Sequence, residues 1–184
     1  MEKAKTQKIK TIEMAYIALF AALMAVCSWI SIPAAVPFTL QTFAIFCAVG
    51  LLGGKRGTIA VVVYILLGLV GVPVFAGFSG GVGVLFGSTG GYIIGFVFSA
   101  LLYWVITKVF GNKTVIMFFA MVAGLLVCYV FGTAWFMVVY TRNSGPIGVA
   151  AALSMCVVPF IIPDLIKIAL ALFITKRVSP HVKF

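Results

Sequence analysis

Six stretches of this chain are apolar over the lengths a membrane demands, and short polar or basic joints separate most of them. They run roughly over residues 12–32, 37–52, 57–73, 89–110, 114–140 and 147–174. A helix rises about 1.5 Å per residue, so about 20 residues cross a hydrocarbon core of roughly 30 Å. The first, fourth, fifth and sixth stretches are long enough unaided. The second and third are short and separated only by Gly53-Gly54-Lys55-Arg56-Gly57, a turn that predicts an antiparallel helix pair. Only 9% of the residues are charged and 64% are hydrophobic, against about 25% charged in an ordinary soluble domain. The apolar surface must therefore face lipid. The expected fold is an all-α integral membrane protein, a single domain of six transmembrane helices over residues 1–184.

The basic residues orient that bundle. Lys3, Lys5, Lys8 and Lys10 precede the first span, and Lys55 and Arg56 lie between the second and third. Lys108 and Lys113 flank the fourth turn, while Lys176, Arg177 and Lys183 follow the last span. With six spans these eleven of the 13 Lys and Arg residues share one side, and only Arg142 falls in the other loops. Five or seven spans would scramble the segregation. The positive-inside bias makes the basic side cytoplasmic, with both termini there. The remaining loops, 33–38, 74–88 and 141–146, are almost uncharged and rich in Gly, Pro and Phe, which predicts a lid or re-entrant segment packed over the helices.

Several function classes are excluded on chemistry. The net charge of +10 sits in clusters between apolar runs, the pattern of membrane orientation signals and not of a nucleic-acid surface. Cys27, Cys47, Cys128 and Cys156 lie inside apolar segments without CxxC spacing and read as small buried hydrophobes. The one histidine, His181, follows the last span, so no metal site or metal cofactor is expected. The segment 12–32 is too long for a signal-peptide core, and bulky Val26 spoils the lipoprotein-like sequence before Cys27. Neither G-x-x-x-x-G-K-[ST] nor G-x-G-x-x-G occurs, so an ATP-driven process would need its ATPase on another chain. An intramembrane enzyme would need paired acids or a Ser/His arrangement at membrane depth, and Asp164 stands alone there.

Three features point to recognition. The sharpest is Pro163-Asp164-Leu165-Ile166-Lys167, where an acid and a base three residues apart share one helical face inside the last span. Holding either charge at mid-bilayer costs at least about 2.5–3.5 kcal/mol, so such groups face an interior or a cavity. They either serve a polar ligand or neutralise each other within the bundle. Pro163 also frees a carbonyl one turn earlier. Second, eight of the 19 glycines fall between residues 77 and 95, which permits close backbone approach to a ligand or to a neighbouring helix. The Thr89-Gly90-Gly91 end offers backbone N–H groups at a helix start. Third, Ala15, Ala18, Ala21, Ala22 and Ala25 give the first span small residues at four-residue spacing, fit for an internal neighbour or another protein. Trp29, Trp104, Trp135, Tyr103 and Tyr140 read as interfacial anchors, while Phe75, Phe78, Phe86 and Tyr92 flank the glycines and can wall a pocket.

These residues resemble a known family. Val72-Pro73-Val74-Phe75-Ala76-Gly77, the Gly80-Gly81 pair, Gly87-Ser88-Thr89-Gly90-Gly91-Tyr92 with Gly95-Phe96, and Pro163-Asp164-x-x-Lys167 are similar to the BioY family, the biotin-specific S components of energy-coupling factor (ECF) transporters. Ser88 departs from the proline of that family's G-P-T-G-G-Y pattern and loses its fixed φ. The resemblance implies a multi-pass cell-membrane subunit, not an enzyme, that binds biotin with high affinity from outside. It also implies delivery through a transmembrane coupling protein and two ABC-type ATPases, met by the helix face around Ala18 and Ala22. In the substrate site it implies Asp164 and Lys167, a close-approach wall of Gly80, Gly81, Gly90 and Gly91, and packing by Phe75 and Tyr92. Asp164 and Lys167 can meet the ureido group, or Lys167 can neutralise the valerate. The rival readings are an S component for another vitamin, such as thiamine or riboflavin, and a stand-alone small-solute transporter.

Overall fold

Backbone entering hydrocarbon must satisfy its N–H and C=O groups internally, and a helix does this within one segment. The computed structural model describes residues 10–181, so Lys3, Lys5, Lys8 and Lys183 of the orienting set lie outside the described residues. The helices are α1 (Thr11–Trp29), α2 (Gln41–Leu69), α3 (Val82–Phe86), α4 (Gly90–Phe110), α5 (Thr114–Ser144), α6 (Val149–Cys156) and α7 (Val158–Val178), with a 3₁₀ turn at Ala76–Phe78. Among the described residues, five helical stretches are long and apolar enough to cross a membrane: α1, α2, α4, α5 and the continuous run of α6 and α7.

The buried face of α1 repeats with helical period: Ile17, Phe20, Ala21, Met24, Ala25 and Ser28. Its other face carries exposed Leu19, Leu23 and Val26. Apolar side chains on both faces suit a helix with protein on one side and lipid on the other.

The α2 stretch folds back on itself at Gly53, whose φ of 75° and ψ of 164° interrupt the helix. Gln41 Nε2 donates to the Tyr64 hydroxyl at 2.8 Å, although 23 helical residues would separate them by about 34 Å along a straight axis. Gly57 lets the two arms touch, because a Cβ there would strike the Val49 backbone. The antiparallel pair expected from the glycine-basic turn is thus present, with one residue as its hinge. The first arm is short, about 18 Å from Gln41 to Leu52, so Thr39 and Thr42 sit below the far ends of the longer helices.

The structure corrects several boundaries. The helix expected to reach residue 32 stops at Trp29, and Ser31–Ile32 pairs antiparallel with Phe38–Thr39, Ser31 opposite Thr39. This small hairpin departs from a purely all-α reading. Segment 141–146 is not all loop, since α5 runs to Ser144 and is closed by Gly145 at φ 97°. The last span is broken at Val157 (φ −128°, ψ −56°), two residues before Pro159, which can neither donate to the preceding turn nor fit beneath its carbonyl.

Around this frame α2 packs against α1, α4 and α7, and α5 packs against α4 and α7. The Arg56–Glu13 ion pair ties the hinge of α2 to the first turn of α1. The other end is closed by the segment after α2. Trp29 Nε1 donates to the Pro73 carbonyl at 2.8 Å, and the Tyr64 hydroxyl donates to that of Val74 at 2.9 Å. Trp29 stacks on Phe78 with 5.0 Å between centroids, and Trp135 Nε1 holds the Gly87 carbonyl at 3.0 Å. Of the uncharged segments, residues 73–87 make these contacts with the helix ends.

Candidate functional site

A cavity of about 120 Å³ lies beneath those loops, roughly ten times what one water molecule needs. Its walls come from the entry to α2 (Thr39, Gln41, Thr42), the covering loop (Phe75, Ala76, Ser79), the start of α4 (Thr89, Tyr92, Phe96), mid-α5 (Leu125, Cys128, Tyr129) and the last span (Cys156, Phe160, Asp164, Lys167).

Asp164 and Lys167 project from one face of α7 into this cavity, with side chains only 4% and 6% exposed. Lys167 Nζ donates to Asp164 Oδ1 at 2.8 Å, to the Thr39 carbonyl at 2.6 Å and to Thr42 Oγ1 at 3.1 Å. An ammonium has three donors, and all three are used. The nitrogen also stands 4.2 Å from the Phe38 ring centroid, and Phe38 stacks on Phe160. On the acid, Oδ1 accepts additionally from Thr42 Oγ1 at 3.0 Å, and Oδ2 accepts from the Tyr129 hydroxyl at 2.6 Å. A carboxylate has about four acceptor sites, so one site on Oδ2 is left for a further donor. The pair is neutral as a unit and held from four segments of the chain.

Tyr92 and Phe75 also line the cavity. The Tyr92 hydroxyl donates to the Cys156 carbonyl at 3.3 Å and is hydrogen-bonded to Thr133 Oγ1 at 2.9 Å. Phe75 is wedged edge-on against Tyr64 and covers Gly68.

The four glycines expected to form a close-approach wall do not line the cavity. Gly80 backs onto the Val72 carbonyl, and Gly81 uses φ 92° while donating its N–H to the Gly68 carbonyl at 2.7 Å. Gly90 rests on the Leu85 backbone, and Gly91 makes room for Trp135. These glycines fold the covering loop and seat α4 on α5. The start of α4 is likewise closed by its own turn, since Gly90 N–H is taken by the Gly87 carbonyl and Tyr92 N–H by that of Thr89.

Ala18 and Ala22 are exposed, whereas Ala21 and Ala25, each three residues further along, are buried. The small residues of α1 thus divide between two faces. Of the aromatics read as interfacial anchors, Tyr103 is buried, and half-buried Trp135 pins the covering loop.

Sequence reasoning missed Thr39, Thr42, Gln41 and Tyr129. The available signal was Tyr129 itself, a phenol halfway along an apolar span where no interface needs an anchor.

A profile of the BioY family matches residues 2–184. A biotin transporter BioY from Thermotoga maritima is 41% identical over 163 residues, covering 88% of this chain and 92% of the relative. A probable biotin transporter BioY from Pyrococcus horikoshii is 36% identical over 172 residues, covering 93% and 98%. Among solved structures, the S-component for biotin from an ECF-type ABC transporter superposes with a TM-score of 0.83 at 26% identity, over 96% of this chain and 97% of that one. Whole-length sequence matches and a shared helical fold agree on one assignment: this chain belongs to the BioY family.

Proposed function

We propose that this chain is the membrane-embedded, high-affinity biotin-binding subunit of an ATP-driven vitamin uptake transporter. It captures biotin from outside and delivers it through association with a transmembrane coupling protein and two ABC-type ATPases. The observation that carries the reading is the desolvated Asp164–Lys167 pair, wired to Thr39, Thr42 and Tyr129 at the wall of an otherwise apolar cavity. Hydrocarbon-depth charges are costly, and a polar guest accounts for keeping them.

Biotin carries a ureido group with two N–H donors and one carbonyl acceptor, an apolar thiophane ring and a valerate carboxylate. The open acceptor site on Asp164 Oδ2 suits a ureido N–H, and Lys167 can donate to its carbonyl by exchanging its 3.1 Å bond to Thr42 Oγ1. Lys167 is already neutralised by Asp164, so the pair favours the uncharged ureido end over the valerate. Phe75, Tyr92, Phe96 and Phe160 pack around the ring.

Counting the two arms of α2 separately gives six crossings, which return the chain to the side on which it began. The basic end, with Lys55, Arg56, Lys108 and Lys176, faces the cytoplasm by the positive-inside bias, with both termini there. The cavity then opens toward the outside, under the loops around Pro37 and Phe75. The exposed Ala18–Ala22 face of α1 meets the coupling protein, because small residues let a second helix approach closely.

The test is equilibrium binding of labelled biotin to the purified chain, wild type against Asp164→Asn and Lys167→Ala, with biotin methyl ester as competitor. Both variants are expected to lose binding, while the ester competes within a few-fold of biotin. Unchanged affinity in both variants would reject the site. Failure of the ester alone would move the valerate onto Lys167.

A further inference from the structure

Gln41 brings a second acceptor to the ligand cavity. The residue starts α2, lines the cavity and is 5% exposed. Its Nε2 donates to the Tyr64 hydroxyl at 2.8 Å, while Oε1 has no hydrogen-bond partner among the described residues. The amide is fixed in that sense. Tyr64 has one hydroxyl proton and gives it to the Val74 carbonyl at 2.9 Å. A hydroxyl oxygen whose proton is spent can only accept, so the Gln41 group that faces it has to be the NH₂. Oε1 is turned away from Tyr64, toward the space that Gln41 walls.

Among the residues lining the cavity, Gln41 and Asp164 alone carry a side-chain carbonyl or carboxylate oxygen. They are near neighbours, because Gln41 adjoins Thr42 in the chain and Thr42 Oγ1 lies 3.0 Å from Asp164 Oδ1. The hydroxyls beside them are engaged: Thr42 Oγ1 stands between Lys167 and Asp164, and Tyr129 gives its proton to Asp164.

We propose that Gln41 is a specificity-determining residue of the biotin site, its Oε1 accepting from one ureido N–H while Asp164 Oδ2 accepts from the other. The inference rests on the biotin reading above. A ureido ring carries its two N–H donors on opposite flanks of the carbonyl, and Asp164 Oδ2 has one open site. The second donor needs an acceptor from another part of the wall. A buried N–H left unpaired weakens binding roughly tenfold or more, and a site built to receive it rejects analogues that lack it. Val74 belongs to the covering loop, so the carbonyl that fixes the Tyr64 proton, and through it the Gln41 amide, is part of the cover itself.

The experiment measures competition with labelled biotin on the detergent-purified full chain, wild type against Gln41→Met, which keeps side-chain length and removes the acceptor. The competitors are biotin and its two cyclic carbamate analogues, each with one ureido N–H replaced by a ring oxygen. Gln41→Met is expected to weaken biotin roughly tenfold or more. One carbamate should bind wild type and variant alike, because it has no N–H for Gln41 to receive, and the other should be weakened as biotin is. Unchanged biotin affinity in Gln41→Met would overturn the assignment. So would equal weakening of biotin and both carbamates, the pattern of a purely structural role. Wild-type chain without affinity for biotin would overturn the biotin reading and this assignment with it, whereas the two preceding results leave that reading standing.

Discussion

Asp164→Asn separates what the buried pair does for stability from what it does for recognition. The substitution preserves shape but leaves the Lys167 ammonium, 6% exposed, without its counter-ion at 2.8 Å. The amide also fails geometrically. Asp164 accepts from Lys167, Thr42 and Tyr129, and an amide turns one accepting oxygen into a donating NH₂ that faces a donor. Breaking a buried pair by removing one partner costs roughly 3–5 kcal/mol, whereas replacing both members with apolar groups of similar volume is often neutral. Asp164→Asn should therefore lower the unfolding free energy by about that amount, and Asp164→Leu with Lys167→Met should recover most of it. Biotin binding should be absent from both. The assay pairs chemical unfolding in detergent with labelled-biotin binding on the same preparations. A double variant as unstable as the single one, or one that binds biotin again, would mean that the pair is not what holds either the fold or the ligand there.

Tyr129→Phe removes the 2.6 Å bond to Asp164 Oδ2 without changing the packing. Hydrogen bonds to charged groups contribute about 1.5–3 kcal/mol, so calorimetry should report biotin binding weakened roughly tenfold or more. Gly57→Ala drives a methyl group into the Val49 backbone and should cost about 1–3 kcal/mol of overpacking, read as a lower unfolding midpoint; an unchanged midpoint would mean the arms of α2 do not touch there. Ala18→Leu and Ala22→Leu fall on an exposed face and should leave stability within about 0.5 kcal/mol and biotin affinity unchanged, while co-purification with a coupling protein is lost.

Legibility followed the energetic cost of each feature. Asp164 and Lys167 were readable because a charge in an apolar span is expensive enough to need a reason. Thr42 was not, because a helical threonine hydroxyl is cheap: it can bond to its own backbone and leaves no mark on the local pattern. Thr42 and Tyr129 are 122 and 35 residues from Asp164, separations no periodicity encodes. Glycine density around residues 77–95 announced close approach but not its object, and Gly90 and Gly91 approach Leu85 and Trp135 instead of a ligand. The reversal of α2 was visible in Gly53-Gly54-Lys55-Arg56-Gly57, where flexibility and charge coincide. The break at Val157 was hidden in an unbroken apolar run, with Pro159 as its one sign. Ala18 and Ala21 look alike in composition, and only the buried stripe of α1 assigns them to opposite faces.

In the proposed function, the cavity beside Asp164 and Lys167 holds biotin. Native mass spectrometry of the chain, purified from membranes of cells supplied with biotin, tests it most directly. One biotin bound per wild-type chain and none on Asp164→Asn is the expected result. A different small molecule at unit stoichiometry, or equal biotin on both proteins, would contradict it.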